Sequence, residues 1–338
     1  MGLLKHIKRK WSERLVRQAN RYLYDLHLKA THTPDHAVVR CQSAIRMAPD
    51  YPEAYLTLGN AYVEKGCYDD ALRQFERAVG IDPDYYRGHI RLADTLHLIG
   101  DRAQADGRGK EARRFYEAAA DAFRTAFALR QGDWQKRTDL GRVLEALGRR
   151  EAAIQEYQAA LADTPGNPWL LRHLAAANLA AGRHGPALST YRQLLEKNPQ
   201  DRDSRRGSAE ALVGLGEAEA ALAEYRRADD HIAAGELLLS MERQDEALSA
   251  FENAIAQDRL RNDLANYGDL AYYHAGRLLF DRGDTEKARA HLLTFLKLID
   301  EKNPVFFTAV PGRRAAYDLR IAEARRIIEA LGSSAKKP

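Results

Sequence analysis

Residues 52–85 read PEAYLTLGNAYVEKGCYDDALRQFERAVGIDPDY and decide the fold of the chain. Apolar side chains recur in this stretch at intervals of three and four residues, which is the period of an amphipathic helix. Gly66 separates two such runs, and Pro83 stands just after the second one. Glycine accepts the positive φ of a tight turn, and proline cannot continue a helix. The stretch therefore predicts two antiparallel helices joined by a short turn.

The same pattern returns along the chain in the same phase. With Pro52 as position 1, small residues stand at positions 8, 20 and 27, and larger ones at positions 7, 11 and 24. Further copies begin at Tyr86, Trp134, Pro168 and Arg202, and a partial copy precedes the first full one. The glycines expected at turns are Gly66, Gly100, Gly148, Gly182 and Gly216. Because one hairpin cannot bury its apolar faces alone, neighbouring copies are expected to stack.

This pattern resembles the 34-residue tetratricopeptide repeat (TPR), whose signature is W-x2-L-G-x2-Y, then A-x3-F-x2-A, then P. The matching residues of the first full copy are Leu58, Gly59, Tyr62, Ala71, Phe75, Ala78 and Pro83. The resemblance implies an all-α fold: a right-handed superhelical array of antiparallel helix pairs, with about seven or eight repeats. Some of these repeats are irregular, and capping helices are expected at both ends.

Three copies depart from the regular spacing. The copy from Tyr86 carries 14 extra residues, which predict an extended helix hairpin or a protruding loop near residues 103–117. The copy around Gly235 lacks eight residues, and the copy after it has seven too many. The shortened copy predicts a change of curvature near residues 229–231, or a division of the array into two sub-arrays there.

The segments of the chain are predicted from these spacings. Residues 313–331 predict a helix that covers the last apolar face with Ala316, Leu319, Ala324, Ile327, Ile328 and Leu331. The predicted segments are a basic amphipathic N-terminal helix (1–30), the repeat array with its helical insert (31–228), irregular repeats (229–300), a C-terminal capping helix (301–331) and a disordered tail (332–338).

The net charge of +4 is concentrated at the two ends of the chain. Residues 1–30 carry +6 and residues 313–338 carry +4, so the residues between them carry −6. A mildly acidic body weighs against nucleic acid as the main partner. No run of about 18 apolar residues occurs, so we expect no membrane-spanning helix and a cytoplasmic location.

The N-terminal helix allows two interpretations. Its apolar side is marked by Leu3, Ile7 and Trp11, and its charged side by Lys8, Arg9 and Lys10. The helix could lie on an anionic membrane surface, which would make the chain peripheral at the membrane. Alternatively, its apolar side packs on the array as a cap, or the terminal helices join two copies in a homodimer. The exposure of Leu3, Ile7 and Trp11 in the folded chain separates the membrane surface from the cap.

The sequence contains no catalytic constellation, and we expect neither an enzyme nor a cofactor. The motifs GxSxG and HExxH are absent, and no GxGxxG follows a strand. A metal site formed by His27, His32, His36 and Cys41 is disfavoured, because Cys41 occupies a core position of its repeat. Two cysteines, Cys41 and Cys67, are expected as free thiols in a reducing compartment.

The TPR resemblance implies that the first helix of each pair lines a concave groove, through positions 2, 5, 9, 12 and 13. The candidate groove residues are Leu56, Asn60, Ile90, Asp94, Arg142, Arg172 and Arg206. The arginines in the later copies favour a protein or peptide partner with acidic residues. The two-carboxylate clamp of chaperone-binding relatives is matched only at Asn60 and is therefore disfavoured. The predicted function is a non-enzymatic scaffold or adaptor. A membrane-recruited adaptor and an RNA-binding protein are the alternatives.

Overall fold

The computed structural model describes residues 2–24, 33–131, 134–261, 268–301 and 313–334. These residues form helices and turns, and they contain no strand. The chain divides into two compact units, Met1–Leu170 and Leu171–Pro338. The predicted all-α helical-repeat fold is confirmed. In each helix pair the first helix is called helix A, and the second is called helix B.

The first unit is built from four successive helix pairs. Its helices are α1 (Gly2–Tyr24), α2 (Pro34–Met47), α3 (Pro52–Glu64), α4 (Tyr68–Ile81), α5 (Tyr86–Ala105), α6 (Gly109–Leu129), α7 (Trp134–Ala146) and α8 (Arg150–Asp163). Helix α1 packs against α2, α3 against α4, α5 against α6 and α7 against α8. Helix α9 (Pro168–Ala180) begins at the end of this unit.

The second unit contains most of α9 and the helices that follow it. These are α10 (His184–Lys197), α11 (Arg202–Gly214), α12 (Ala218–Arg227), α13 (His231–Ser240), α14 (Gln244–Arg261), α15 (Gly268–Asp281), α16 (Thr285–Asp300) and α17 (Arg313–Ser334). Helix α11 pairs with α12, α13 with α14 and α15 with α16. Helix α17 packs on both α15 and α16.

The predicted turn glycines end helix A in most of the copies. Gly66, Gly148, Gly182 and Gly216 have φ angles between 72° and 80°. After Gly66, the Cys67 amide donates to the Tyr62 carbonyl at 2.9 Å, which is the backbone closure typical of a glycine-terminated helix. These turns confirm the prediction from position 15.

Gly100 is the exception, because it lies inside α5 and not at a turn. A Cβ atom there would be 2.7 Å from the Tyr116 ring, so this glycine allows close packing of α5 and α6. The turn of this pair is at Gly107, where φ is 76°. The prediction of a turn at Gly100 was wrong because the extra residues extend α5 beyond it.

The extra residues are divided equally between the two helices of this pair. Helix α5 has 20 residues where α3 has 13, and α6 has 21 where α4 has 14. Seven residues are about two helical turns, so each helix keeps the orientation of its buried face. Ala119 and Phe123 are accordingly buried like Ala71 and Phe75. The insert is therefore an extended helix hairpin and not a protruding loop.

The shortened copy consists of two short helices in the second unit. Helices α12 and α13 have 10 residues each, where α10 has 14 and α11 has 13. Asp229, with a φ of 54°, follows α12, and the Asp230 side chain caps α13 by accepting from the Ala233 amide at 3.2 Å. Helix α14 then lengthens to 18 residues. The change of curvature at this point stays a prediction, and the division of the chain into two compact units lies at residues 170–171 and not here.

Helix A and helix B approach closely where a glycine faces an aromatic ring. The Phe75 side chain is fully buried, and a Cβ atom on Gly59 would lie 2.4 Å from its ring. Gly141 and Tyr157 repeat this arrangement in the α7–α8 pair, again at 2.4 Å. The small residue at position 8 is thus required by the large one at position 24.

The N-terminal helix forms part of the repeat array. Helix α1 ends at Tyr24, and it pairs with α2 through the buried side chains of Val16, Ala19 and Leu23. It therefore acts as helix A of a first repeat whose helix B is α2. Residues 25–32, which contain the rest of the predicted 1–30 segment, lie outside the described residues.

The C-terminal helix covers the last pair with a different face from the predicted one. Tyr317 and Ala324 of α17 are buried, whereas Ala316 is exposed and Leu319 is 74% exposed. The prediction for Ala316 and Leu319 was wrong, because the contacting face of α17 is centred on Tyr317 and Ala324. The described helix begins at Arg313 and runs into the predicted tail as far as Ser334.

Candidate functional site

Three of the predicted groove residues are withdrawn from solvent in the first unit. Leu56 is 1% exposed, Asn60 7% and Ile90 8%. Leu56 belongs to the cluster formed with Ala71 and Phe75, so its side chain is part of the core. These three positions therefore offer little side-chain surface to a partner. Their burial weighs against direct contact with a partner, and their role in the groove stays a prediction.

Asp94 is held in a charged cluster between α5 and α7. The Lys136 Nζ atom lies 2.8 Å from a carboxylate oxygen of Asp94 and 2.9 Å from one of Asp139. Burial raises the pKa of Asp94 and outweighs the opposing attraction of Lys136. Burial acts to lower the pKa of Lys136, but the two carboxylates outweigh it and the pKa is raised. Sequence reasoning missed Lys136, because position 3 of a repeat is outside the groove positions that the family pattern gives.

Arg142 provides an exposed positive charge on α7. It forms no ion pair within 4.0 Å among the residues that the structure describes. Nearby, the buried Tyr157 hydroxyl donates to the Glu145 carboxylate at 2.6 Å. Burial raises the pKa of Glu145, and the hydrogen bond from Tyr157 and the Arg142 charge oppose this shift. Arg142 is therefore the predicted groove residue of the first unit that keeps an accessible charge.

His97 lies next to this cluster and is mostly buried on α5. Its Nε2 atom is 3.6 Å from a carboxylate oxygen of Asp101, and its ring is T-shaped to that of Tyr116. Burial lowers the pKa of His97, and the Arg142 charge acts in the same direction, while Asp101 opposes both. The folded chain therefore favours a neutral imidazole.

Acid should destabilise the first unit through His97. Because the folded pKa lies below the unfolded value of about 6.5, the unfolded chain binds the proton more tightly, so stability falls as the pH drops through that value. We expect His97→Gln to reduce the loss of stability between about pH 7.5 and about pH 5.5. Urea unfolding at both pH values measures the effect. An unchanged pH dependence in the variant would contradict this role of His97.

Two arginines of the second unit occupy equivalent positions on consecutive helices A. An Arg172 Nη2 atom lies 2.7 Å from Asp201, and the Arg206 Nε atom lies 2.5 Å from Asp230. Each acid precedes the next helix A, so the pairs connect neighbouring repeats. Both arginine side chains are about half exposed, at 49% and 55%, whereas their acidic partners are mostly buried. These pairs were not predicted, because the spacing between an arginine and its acid differs between the regular and the shortened copy.

The predicted N-terminal contact residues lie on the first three turns of α1. Ile7 is 43% exposed and Trp11 50%, while the Leu3 side chain lies outside the described part of the chain. Lys8 and Lys10 are exposed, and the Arg9 guanidinium stacks on Tyr51 at 3.9 Å from the ring centroid. None of the described helices is both long and apolar enough to cross a membrane.

A shallow depression in the second unit was not predicted from the sequence. It measures about 510 Å³ and lies among α10, α11 and α12. It is lined in part by the ion pair of Arg205 and Glu224, whose atoms are 2.8 Å apart and whose side chains are mostly buried. In the described part of the chain, no three His, Cys, Asp or Glu side chains are grouped so that they could hold a metal ion. His27 and His32 lie outside that part.

Models of the tetratricopeptide repeat match residues 50–125, 144–201, 105–168 and 174–231 of the chain. Together these matches cover residues 50–231 without a gap, which is more than half of the 338 residues. The chain belongs to the tetratricopeptide repeat family. A search of curated proteins finds no match to it.

Several solved structures of similar fold are those of TPR proteins. YrrB, described as a TPR protein with an unusual peptide-binding site, is 17% identical, with a TM-score of 0.50 over 60% of this chain and 97% of that one. TTC0263, a thermophilic TPR protein in Thermus thermophilus, is 27% identical, with a TM-score of 0.40 over 60% and 99% of the two chains. MamA from Desulfovibrio magneticus RS-1 is 19% identical, with a TM-score of 0.45 over 56% and 97%. The likeness to YrrB concerns the fold alone.

Proposed function

We propose that the chain is a non-enzymatic scaffold that binds a peptide segment or a partner protein on its helix A surface. In the second unit, we further propose that Arg172 and Arg206 select acidic side chains of that partner. The observation that carries the proposal is the equivalent placement of two half-exposed arginines on consecutive helices A. The peptide-binding site named for YrrB illustrates that a TPR fold can present such a site.

The arginines can bind an external carboxylate without leaving their internal partners. A guanidinium group has five N–H donors in a planar fork, and the hydrogen bond of Arg206 to Asp230 uses the one on Nε. The remaining donors of this half-exposed side chain are available for a bidentate contact with a carboxylate. The same argument holds for Arg172, whose hydrogen bond to Asp201 uses Nη2. The internal acids also hold each guanidinium in place, which lowers the entropy cost of binding.

Two substitutions at one pair should change binding in opposite directions. Arg206→Gln should weaken binding of a fluorescein-labelled oligoglutamate peptide by about tenfold or more, because a charge-assisted hydrogen bond contributes about 1.5–3 kcal/mol. Asp230→Asn should strengthen it, because it removes a negative charge that repels the carboxylates of the peptide, while the asparagine oxygen can still accept from the Arg206 Nε–H group. Asparagine can still cap α13, so the fold is retained. Fluorescence anisotropy measures both effects.

The matched control is Arg289→Gln, which removes an exposed arginine of the same unit from helix B α16. We expect it to leave oligoglutamate binding unchanged. Equal losses at Arg206 and Arg289 would indicate general charge attraction and would contradict the site. An oligolysine peptide serves as the probe of opposite charge, and it should not bind better to the Asp230→Asn chain.

RNA binding has less support than a protein partner. Nucleic-acid surfaces combine basic side chains with stacked aromatic platforms, whereas the exposed basic stretch of α1 contains only the aromatic side chain of Trp11 in its first three turns. We place the scaffold in the cytoplasm, because Cys41 and Cys67 are both free and a reducing compartment keeps thiols in that state.

A further inference from the structure

Helix α1 is fixed to the first unit by one face of its second half. Val16, Ala19 and Leu23 are buried there, and the buried Ser12 hydroxyl donates to the Ala44 carbonyl of α2 at 3.0 Å. These four residues fall on one side of the helix, within about 60° of each other at 100° per residue. This packing sets the rotation of α1 about its own axis. It therefore also determines which side chains of α1 point away from the array.

A second apolar face of α1 is left uncovered in the first three turns. Leu4 is 60% exposed, and Ile7 and Trp11 are 43% and 50% exposed. The three side chains lie within about 60° of each other and are turned by about 120° from the buried face. An open depression of about 810 Å³ adjoins Leu4 and is bounded on the other side by Met47, Ala48 and Pro49. The uncovered face is thus distinct from the face that packs on the array.

The four lysines and arginines of the first three turns divide into two groups. Lys5 forms an ion pair with Asp50 at 3.1 Å, and Arg9 stacks on Tyr51, so both attach α1 to the array. Lys8 and Lys10 form no ion pair with any described residue and are exposed. No acidic residue precedes Glu13 in the chain. The free positive charge therefore lies beside the uncovered apolar face.

We propose that the first three turns of α1 dock the chain on an anionic phospholipid bilayer. Leu4, Ile7 and Trp11 enter the interfacial layer, and Lys8 and Lys10 contact the lipid phosphates. Tryptophan suits the interface because its ring is apolar and its N–H donor stays hydrated. This docking is independent of the acidic-peptide site in the second unit.

A bilayer fits this surface better than a second copy of the chain does. Two copies joined through their α1 faces would bring Lys8 and Lys10 close to the same lysines of the other copy, and like charges oppose such a contact. An anionic membrane supplies an apolar layer for Leu4, Ile7 and Trp11. It also supplies negatively charged phosphates for Lys8 and Lys10, which lie beside them. The short apolar face needs that charge, because three side chains alone give weak and reversible insertion.

Tryptophan fluorescence of the full chain tests the insertion directly. Trp134→Phe and Trp169→Phe leave Trp11 as the single tryptophan of the chain. Vesicles of phosphatidylcholine with phosphatidylserine should shift its emission to shorter wavelength, and vesicles of phosphatidylcholine alone should shift it far less. No shift with the anionic vesicles would overturn the proposal. A shift that follows protein concentration without vesicles, together with a doubled mass in light scattering, would assign the face to a second copy and would also overturn it.

Vesicle co-sedimentation with charge variants tests the role of the lysines. Lys8→Gln with Lys10→Gln should lower partitioning onto anionic vesicles by about 25-fold, since each basic residue near such a surface contributes a factor of about five. The matched control is Arg325→Gln with Arg326→Gln, which removes the same charge from exposed positions of α17 and should leave partitioning nearly unchanged. Equal losses in the two double variants would overturn the assignment to α1. Salt should release the wild-type chain from the vesicles.

Discussion

Gly59→Ala should destabilise the first unit by about 1–3 kcal/mol, although alanine is the better helix former. The added Cβ atom would lie 2.4 Å from the Phe75 ring, which is fully buried and cannot move away without disturbing its neighbours. Gly80→Ala in α4 is the matched control, because a Cβ atom there meets nothing within 4 Å. We expect the control to raise stability by up to about 1 kcal/mol. Urea unfolding followed by circular dichroism measures both changes.

A double-mutant cycle identifies the ring as the cause. Phe75→Leu removes the aromatic edge that the new methyl group would meet, so Gly59→Ala should cost much less in that background. We expect an interaction free energy of about 1 kcal/mol or more between the two sites. Strictly additive effects would show that the loss at Gly59 comes from the backbone of α3 and not from contact with Phe75. Midpoints of unfolding are compared in addition to the free energies, because repeat arrays can depart from two-state behaviour.

The two cysteines should differ in thiol reactivity by about a thousandfold or more. Cys41 is fully buried in the cluster where α1, α2 and α3 meet, and burial raises the pKa of its thiol to about 12. An ordinary cysteine has a pKa of about 8.5, so the thiolate fraction of Cys41 at neutral pH is lower by about a thousandfold or more. Burial also keeps the reagent from reaching its sulfur atom. Cys67 is partly exposed at the start of α4 and should react rapidly. A thiol-reactive chromogenic disulfide measures the two phases.

Cys67→Ser isolates the slow phase of this reaction. The remaining Cys41 should react only when α1 detaches from α2 and α3, so its rate reports that opening. Urea at concentrations below the unfolding midpoint should accelerate the reaction. Rapid labelling of Cys41 in the native chain would show that α1 is not packed as the structure has it.

The sequence predicted the repeats well because their phase depends on residues within a single hairpin. Gly59 and Phe75 meet inside one helix pair, and Gly66 ends the first helix of that pair. The contacts that define a repeat therefore lie within 34 residues, where the sequence pattern can reveal them. Gly100 was assigned wrongly because a turn position was counted from the start of the copy. Helix α5 continues past Gly100 by additional helical turns. The spacing of small and large residues within the copy does not show where such turns are added.

The site was predicted less well because exposure depends on contacts between hairpins. Leu56 and Ile90 stand at groove positions of the family pattern, yet both side chains are buried. Arg172 and Arg206 were identified, but their acids, Asp201 and Asp230, stand just before the next helix A, outside the groove positions of the family pattern. The two faces of α1 could be separated only after its packing partner α2 was known.

The equal extension of α5 and α6 has a consequence for how such an array can vary in length. Seven residues add about 10 Å to a helix and rotate its end by only about 20° from the original direction. Growth by paired steps of seven therefore preserves the fit between two helices, whereas a step of one or two residues would rotate the buried alanines away from each other. A helix pair of this kind can therefore extend by seven residues in each helix while the contacts at its base stay the same.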